Sequence, residues 1–279
     1  MMGAGGCPSG DLTCHPCPRS TLCAPPCTTS LELAFVDSSG WSPKRRASAT
    51  SKGQFVDASS FDFEKNYRRY ELENEEHDSY ATSRFGTKSY WDLMYAGGGD
   101  FQSDEYSWYY GMEVIKPYLD EYVAADEKSS LSILVPGCGN DPLLLDLYNN
   151  GYRCLFGFDY SAEAIERQRD LMEYLPSDAV DAIDLRTLDA RKLPDEWNKK
   201  FDVILEKGVL DAIYLSGDGN FERSVKELGR VVKPDGLCYS ITGVVPDEVR
   251  MAGFVSDNWK CLRDGTDDLK AGCFIFKRQ

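Results

Sequence analysis

Two glycines, Gly137 and Gly139, stand directly after a short apolar run at residues 131–135, with Cys138 and Asn140 beside them. A run of this kind, bounded by proline and glycine, is typical of a buried strand. In an open α/β sheet, ligands bind beyond the carboxyl ends of the strands, and glycines there let the backbone approach a nucleotide. These four residues therefore predict a nucleotide-binding turn, although the glycines could also serve only to form a tight turn.

A carboxylate stands at the matching place after the next strand-like segment. Residues 152–158 have the pattern of a strand, and Asp159 follows them, twenty positions after Gly139. An acidic residue at the end of the second strand of a nucleotide-binding sheet accepts hydrogen bonds from ribose hydroxyls. Asp159 and Ser161 also precede a helical stretch, and either could cap that helix. We assign the ribose contact to Asp159 and the cap to Ser161.

A third acidic residue, Asp189, follows the strand-like residues 183–188. Its carboxylate could accept a hydrogen bond from an adenine amino group, or Asp189 could be only a turn residue. Three such features after successive strands predict one nucleotide site at a single edge of the sheet. A nicotinamide dehydrogenase would share the first two features, but it usually has a third glycine where this chain has Pro142.

The strand-like segments alternate with segments of helical periodicity, and this alternation predicts the fold class. Further strands are expected at 201–205 and 237–242, and helices at 106–123, 142–149, 162–174 and 221–232. Alternation of this kind implies right-handed crossovers and a parallel sheet with helices on both faces. Residues 259–262 and 272–277 flank a polar turn and predict an antiparallel hairpin. The expected fold is a Rossmann-like α/β domain with a seven-stranded, mostly parallel sheet and a C-terminal hairpin.

The composition predicts one domain with an N-terminal extension. A chain of 279 residues with 42% hydrophobic residues can form one sizeable α/β core. Residues 1–53 are rich in Gly, Pro, Ser, Thr and Cys without periodicity, so we predict a disordered head there. That head could instead be a targeting segment or a metal-binding arm. Residues 54–83 are predicted to form a polar linker, and residues 84–279 the catalytic domain.

The charge and the histidine content exclude several classes of function. The net charge is −15, and residues 54–279 hold 26 basic against 43 acidic side chains. Phosphate backbones would repel such a body, so basic proteins or small molecules are the expected partners rather than nucleic acid. The two histidines, His15 and His77, precede the predicted domain, which argues against a histidine-based triad or metal site.

The sequence also gives an expectation about location. No run of 18 apolar residues is present, so we expect a soluble, cytoplasmic protein that does not bind membranes. An organelle is the alternative if the N-terminal head is a transit peptide.

Four segments of the predicted domain resemble the class I S-adenosylmethionine-dependent methyltransferases of the methyltransferase-like group. They are residues 136–140, 159–161, 188–193 and 201–212. That group includes the elongation factor 1-alpha lysine methyltransferases and the methyltransferase segment fused to endothelin-converting enzyme. The most specific motif is Glu206-Lys-Gly-Val-Leu-Asp-Ala212, where the family often has Asp for Glu206 and Thr for Val209. The resemblance covers residues 84–242 well, including the aromatic segments that precede the first strand.

The resemblance implies S-adenosylmethionine as the cofactor and no metal. It implies cofactor contacts from ten residues along the chain. They are Trp91, Gly137, Cys138, Gly139, Asn140, Asp159, Tyr160, Asp189, Ala190 and Glu206.

Methyl transfer to a lysine sets two physical requirements for the site. Alignment of the acceptor behind the methyl group contributes about 7–11 kcal/mol, and deprotonation of a lysine at pH 7 costs about 4.6 kcal/mol. We expect Glu206 to orient the acceptor, since a carboxylate favours the charged amine and is a weak base beside it. Glu206 could instead pair with Lys207 or touch the cofactor.

A group of aromatic residues is expected near this acceptor site. They are Tyr90, Trp91, Tyr95 and Trp108. Aromatic faces attract ammonium groups, so these residues could form a cage for a lysine, or they could belong to the core. Asp211 is expected to start or cap a helix.

Four functions remain open on the sequence, of which a Rossmann oxidoreductase is the least favoured. The resemblance favours a protein-lysine methyltransferase, with elongation factor 1-alpha as the implied substrate, and an acidic body complements a basic target. A small-molecule methyltransferase is the second possibility, since one fold hosts many chemistries. A non-catalytic binding module that retains the fold is the third.

Overall fold

The computed structural model describes residues 74–98, 108–173, 175–265 and 271–279. The predicted head and residues 54–73 of the predicted linker lie outside these ranges. Within them, no helix has the length and apolar character needed to cross a membrane.

The described residues form one seven-stranded sheet in the order β3-β2-β1-β4-β5-β7-β6. Strands β1 to β5 are parallel to one another, whereas β7 runs antiparallel to both β5 and β6. The strands are β1 Ser132–Pro136, β2 Cys154–Asp159, β3 Ile183–Thr187, β4 Phe201–Lys207, β5 Val232–Thr242, β6 Trp259–Asp264 and β7 Gly272–Arg278. The predicted sheet with its C-terminal hairpin is therefore confirmed, and β5 begins five residues earlier than expected.

Nine α-helices accompany this sheet in the described part of the chain. They are α1 Glu75–Asp78, α2 Lys88–Leu93, α3 Met112–Tyr122, α4 Leu143–Asn149, α5 Ala162–Met172, α6 Ser177–Ala182, α7 Val209–Leu215, α8 Asn220–Val231 and α9 Asp247–Ser256. Helices α3, α4, α5 and α8 match the sequence expectations to within a few residues at each end, except that α3 starts six residues late. Of the other five helices, α7 was expected only through Asp211, which was predicted to start or cap a helix, and the remaining four were not predicted.

The core lies on both faces of the sheet because successive strand residues point to opposite sides. In β1, Ile133 and Val135 join a cluster with α3, α4 and α5, whereas Leu134 joins a cluster with α7, α8 and α9. All five residues of β1 are buried. This explains why the strand is a continuous apolar run instead of an alternating one.

Helix α9 was missed because its buried face carries a charge. The two buried residues of α9 are Arg250 and Phe254, one helical turn apart. An arginine in that position interrupts the apolar periodicity from which helices are predicted.

Packed residues occur before the domain boundary predicted at Arg84. The Asp78 carboxylate accepts hydrogen bonds from the Lys88 and Ser89 backbone N–H groups at 2.6 and 3.2 Å, at the start of α2. The Thr82 N–H donates to the Leu215 carbonyl at 2.8 Å. These contacts tie part of the predicted linker to the domain, because orphan N–H groups at a helix start need acceptors.

The strand order reverses at β1, which lies between β2 and β4. At such a switch point the connections leave in opposite directions, and a crevice opens at the carboxyl ends of the strands. Gly137 follows β1 there, Asp159 ends β2 and Lys207 ends β4. The fold therefore brings residues from three separate segments together at the carboxyl ends of the strands.

Candidate functional site

The turn after β1 requires glycine at two positions. Gly137 and Gly139 have φ angles of 54° and 52°, in the left-handed region. A Cβ atom on Gly137 would lie 2.4 Å from Cγ2 of Val209, and one on Gly139 would lie 2.7 Å from the Tyr95 hydroxyl. The backbone conformation of this turn therefore disfavours residues that carry a side chain. Val209 and Tyr95 also pack closely against it.

Asp159 fixes this turn to the end of β2. Its Oδ2 accepts a hydrogen bond from the Gly139 N–H at 3.0 Å, and its Oδ1 accepts one from the Ser161 N–H at 3.0 Å. The side chain is buried. Burial raises the pKa of Asp159 to about 6, and the bonds from Ser161 and Gly139 oppose that rise. Each oxygen keeps lone-pair capacity for a further donor.

The cap predicted for Ser161 is only partly correct. Ser161 occupies the N-cap position of α5, but its side chain makes no capping hydrogen bond. Its hydroxyl instead donates to the Glu163 carboxylate at 3.2 Å. Asp159 satisfies the Ser161 N–H, so one carboxylate serves both the helix start and the glycine turn.

Gln168, a residue that sequence reasoning missed, holds the carbonyl side of the turn. Its amide nitrogen lies 3.2, 3.0 and 2.7 Å from the carbonyl oxygens of Cys138, Gly139 and Asp141. Gln168 is buried on the apolar face of α5, next to Ile165. A lone amide in an otherwise apolar helical stripe is the signal that could have identified it, because buried amides need partners.

Asp189 follows β3 at the same edge, where the Leu188 N–H donates to the Asp159 carbonyl at 2.8 Å. Both Asp189 oxygens bind the Arg191 guanidinium, and Oδ1 also accepts the Arg191 N–H at 2.8 Å. Burial raises the pKa of Asp189, but the hydrogen bonds and charge of Arg191 lower it overall. The residue is therefore a charged turn-former at the strand end. The neighbouring Ala190 is partly buried against the core.

The cleft above the turn is narrow. Its lining includes Tyr95, Trp108, the turn from Gly137 to Asp141, and Lys207. The enclosed space is about 30 Å³, roughly that of one water molecule and far below the 300 Å³ or more of typical ligand pockets. Entry of a nucleoside therefore requires Tyr95 or Trp108 to move.

The four aromatic residues expected near the acceptor do come together. The Trp91 ring lies 5.2, 6.0 and 5.5 Å from the rings of Tyr90, Tyr95 and Trp108. Tyr90 is fully buried, whereas Tyr95 and Trp108 line the cleft. Trp91 is anchored by its indole N–H, which donates to the Phe85 carbonyl at 2.8 Å. The cluster is thus core at one end and cleft wall at the other.

Tyr160, which follows Asp159, is tied to the segment that precedes α2. Its hydroxyl donates to the Thr87 carbonyl at 3.3 Å. This contact fastens the N-terminal aromatic segment to the end of β2, on the nucleotide side of the crevice.

Lys207 pairs with Asp141 and not with Glu206. The two side chains form an ion pair in the cleft wall, with 5% and 14% of their surfaces exposed. The Lys207 ammonium also donates to the Trp108 carbonyl at 2.9 Å. Charged hydrogen bonds of this kind, with little water around them, hold the glycine turn, β4 and the aromatic segment together.

Glu206 lies in a closed cluster of polar side chains at the end of β4. The side chain is completely buried, and it is absent from the described residues that line the cleft. Its carboxylate accepts hydrogen bonds from the Ser240 hydroxyl and the Leu210 N–H, and lies 3.4 Å from the Arg250 guanidinium. The expected role in acceptor orientation stays a prediction, and it would require this cluster to open, because fixed donors already surround the carboxylate. Burial raises the pKa of Glu206 to about 7, against the opposing effects of Arg250 and Ser240.

Asp211 is the centre of the same buried cluster. Predicted only to start or cap a helix, it lies in α7 and accepts hydrogen bonds from five described donors. They are the Tyr109 hydroxyl, the Thr242 hydroxyl, the N–H groups of Gly243 and Val245, and the Arg250 guanidinium. Asp211 thus holds the loop after β5 against α7.

The chain is similar to known methyltransferases. A family model described as a methyltransferase domain matches residues 127–265. "EEF1A lysine methyltransferase 4" of Bos taurus is 29% identical over 167 residues, which cover 56% of this chain and 61% of that protein. "EEF1A lysine methyltransferase 2" of Danio rerio is 29% identical, with 57% and 70% covered.

A longer relative matches over a smaller share of its length. "eEF1A lysine and N-terminal methyltransferase" of Homo sapiens is 26% identical over 192 residues, which cover 64% of this chain and 25% of that protein. The chain thus spans about 61% of the length of the Bos taurus relative. The predicted resemblance to elongation factor 1-alpha lysine methyltransferases is confirmed, and that to the segment fused to endothelin-converting enzyme stays a prediction. Residues 127–265 match a methyltransferase domain, and the sheet order and the glycine turn described above are those expected of the class I S-adenosylmethionine-dependent methyltransferases.

Proposed function

We propose that this chain transfers a methyl group from S-adenosylmethionine to a lysine of a protein, with elongation factor 1-alpha as the substrate. The observation that carries the proposal is the bond between the Gly139 N–H and the Asp159 carboxylate at the switch point of the sheet. It joins a turn that a nucleotide can approach to a carboxylate that can bind a ribose. The names of the relatives support the protein substrate.

The residues at the edge fit the proposed cofactor. Asp159 would accept the ribose hydroxyls, and Asp189 would accept from the adenine amino group beside Ala190. Gly137, Cys138, Gly139 and Asn140 would lie against the rest of the molecule, since all four line the cleft. When bound, the cofactor supplies a sulfonium methyl group that is already activated.

Two aromatic residues would contribute to cofactor binding less directly than the sequence predicts. Trp91 packs on the cleft-lining rings of Tyr95 and Trp108, so it would support the cofactor through them. Tyr160 would hold the aromatic segment in place through Thr87. A cofactor contact from Glu206 would need its buried cluster to open.

Charge supports a protein substrate. A chain with a net charge of −15 attracts basic proteins through long-range electrostatics. A cytoplasmic site of action goes with this substrate and remains part of the proposal.

A small-molecule methyltransferase is the second candidate. The narrow shape of the cleft beside Tyr95 and Trp108 favours it, because sites for small molecules are concave and bury most of the ligand surface. A non-catalytic module has less support, since both glycines and Asp159 are present.

The proposal is tested by titration calorimetry and methyl transfer. Purified protein is titrated with S-adenosylmethionine and, separately, with NADH. It is then incubated with tritiated S-adenosylmethionine and either unmethylated recombinant elongation factor 1-alpha or a lysate from cells that lack the enzyme. We expect binding of the former compound only and label on a lysine of elongation factor 1-alpha. Label in small molecules alone would establish the second candidate, and label in another protein would replace the substrate.

Cofactor affinity should depend on pH through Asp159. Its pKa is about 6 without cofactor, and only the ionised carboxylate accepts from both ribose hydroxyls. The dissociation constant should therefore be constant above about pH 7 and rise up to tenfold per pH unit below about pH 6. Calorimetry with S-adenosylmethionine across this range measures it. A flat profile would show that Asp159 does not contact the ribose.

A further inference from the structure

Tyr109 adopts a backbone conformation that its side chain disfavours. Its φ angle is 63°, in the left-handed region, which is uncommon for bulky aromatic residues. Residues held in this way need strong support from their surroundings, and they occur preferentially at functional sites. The contacts that fix Tyr109 in this conformation therefore indicate its function.

The Tyr109 ring lies across the ends of two strands. A Cβ atom on Gly208, which follows β4, would lie 3.1 Å from its Cε2 atom. A Cβ atom on Gly243, which follows β5, would lie 3.0 Å from its Cε1 atom. Glycine at both positions lets the ring lie close to the backbone of the crevice.

The Tyr109 hydroxyl has a fixed orientation. It donates to Oδ2 of Asp211 at 2.6 Å. That carboxylate cannot turn away, because Val245 and Gly243 donate to it from the loop after β5 and Arg250 lies 3.3 Å from Oδ1. Burial and the charge of Asp211 raise the pKa of Tyr109, so the proton stays on the phenol. The phenol oxygen therefore offers lone pairs, and no proton, to any further partner.

Tyr109 lies on the half of the crevice that the nucleoside does not need. Asp159 and Asp189 end β2 and β3, whereas Tyr109 covers the ends of β4 and β5 on the other side of β1. The preceding residue, Trp108, lines the cleft and accepts a hydrogen bond from Lys207. An acceptor that approaches the methyl group from this half would pass Tyr109.

We propose that Tyr109 contacts the acceptor amine, the role that the sequence suggested for Glu206; the inference rests on the proposed function. Its oxygen accepts an N–H of the amine, and its ring edge and face lie beside the cationic form. The amine loses one proton to solvent and its nitrogen lone pair then forms the new N–C bond as the S–C bond breaks. The products are a methylammonium group and a neutral thioether. Tyr109 orients the nitrogen and takes up no proton.

The test compares Tyr109→Phe with wild type and with Tyr152→Phe, which also removes a single tyrosine hydroxyl but lies away from the crevice. Tyr152 precedes β2, at the amino ends of the parallel strands and away from the crevice. Its hydroxyl has no hydrogen-bond partner among the described residues. Each protein is assayed for S-adenosylmethionine binding by calorimetry, for melting temperature, and for kcat and KM with unmethylated elongation factor 1-alpha.

For Tyr109→Phe we expect kcat/KM for the acceptor to fall about tenfold to a hundredfold, with cofactor affinity within threefold of wild type. Tyr152→Phe should match wild type in both. Gly243→Ala should lower kcat/KM in the same direction, since its methyl group would press on both the ring and the hydroxyl of Tyr109 without removing the hydroxyl from the side chain.

The outcomes separate this inference from the proposed function. Activity of Tyr109→Phe equal to that of wild type overturns the inference alone. Equal loss of cofactor binding and acceptor turnover also overturns it, because it indicates a structural role. If wild type binds S-adenosylmethionine but labels no protein, the proposed function fails and the inference falls with it.

Discussion

Asp159→Ala should weaken S-adenosylmethionine binding by at least about a hundredfold while the protein stays folded. Two ribose hydroxyls would lose a charged acceptor, and hydrogen bonds to charged groups contribute about 1.5–3 kcal/mol each. The Gly139 and Ser161 N–H groups would lose the same acceptor. The glycine turn would then be less ordered before the cofactor arrives, which adds to the loss.

Calorimetry near pH 8 measures this effect, and circular dichroism during heating checks the fold. Asp184→Ala is the matched control, because it removes a carboxylate from the adjacent β3 that is partly exposed and paired with Arg186. Its affinity should equal that of wild type. Normal affinity in Asp159→Ala would remove this residue from the cofactor site.

Arg250→Met should lower the free energy of unfolding by about 3–5 kcal/mol, the usual cost of breaking a buried ion pair from one side. Arg250 is fully buried between Glu206 and Asp211, at 3.4 and 3.3 Å from their carboxylates. Without the guanidinium, two negative charges would share one dry site. Methionine has a similar volume and an unbranched apolar stem, so a cavity contributes little to the expected loss.

Urea denaturation measures the loss, and Arg169→Met is the control. Arg169 is exposed and pairs with Glu166 on the same helix, so its removal should cost no more than about 1 kcal/mol. A loss below that value in Arg250→Met would show that the buried cluster contributes little to stability.

The same buried cluster makes the stability of the folded protein depend on pH. Glu206 has a folded pKa of about 7, above its ordinary value of 4.5. A carboxyl group with a raised folded pKa stabilises the folded protein at low pH, and this contribution is lost as the pH rises through about 7. Arg250→Met raises that pKa further, so its destabilisation should be smaller near pH 5 than near pH 8.

The sequence alone predicted the features that depend on neighbouring residues. The apolar run of β1 and the glycines after it carry a complete local signal, because backbone conformation and strand burial are set within a few positions. The position of Asp159 at the end of β2 was predicted in the same way, from the next strand-like segment. The alternation of strands and helices then fixed the sheet, since crossover handedness leaves few arrangements.

The partners of the charged side chains were decided only by the tertiary structure. Lys207 adjoins Glu206 in sequence, yet successive strand residues point to opposite sides, so Lys207 meets Asp141 and Glu206 meets Arg250. Arg250 lies 44 positions after Glu206, in a helix that its own charge concealed.

Tyr109 shows the same division between local and long-range information. Its sequence neighbours do not indicate that it lies over Gly208 and Gly243 or donates to Asp211, 102 positions away. Local patterns encode which residues can form a strand, a turn or a helix, because those depend on backbone sterics and burial. The packing of distant segments decides which carboxylate is buried in the core and which side chain faces the acceptor. Only the folded chain brings those segments together.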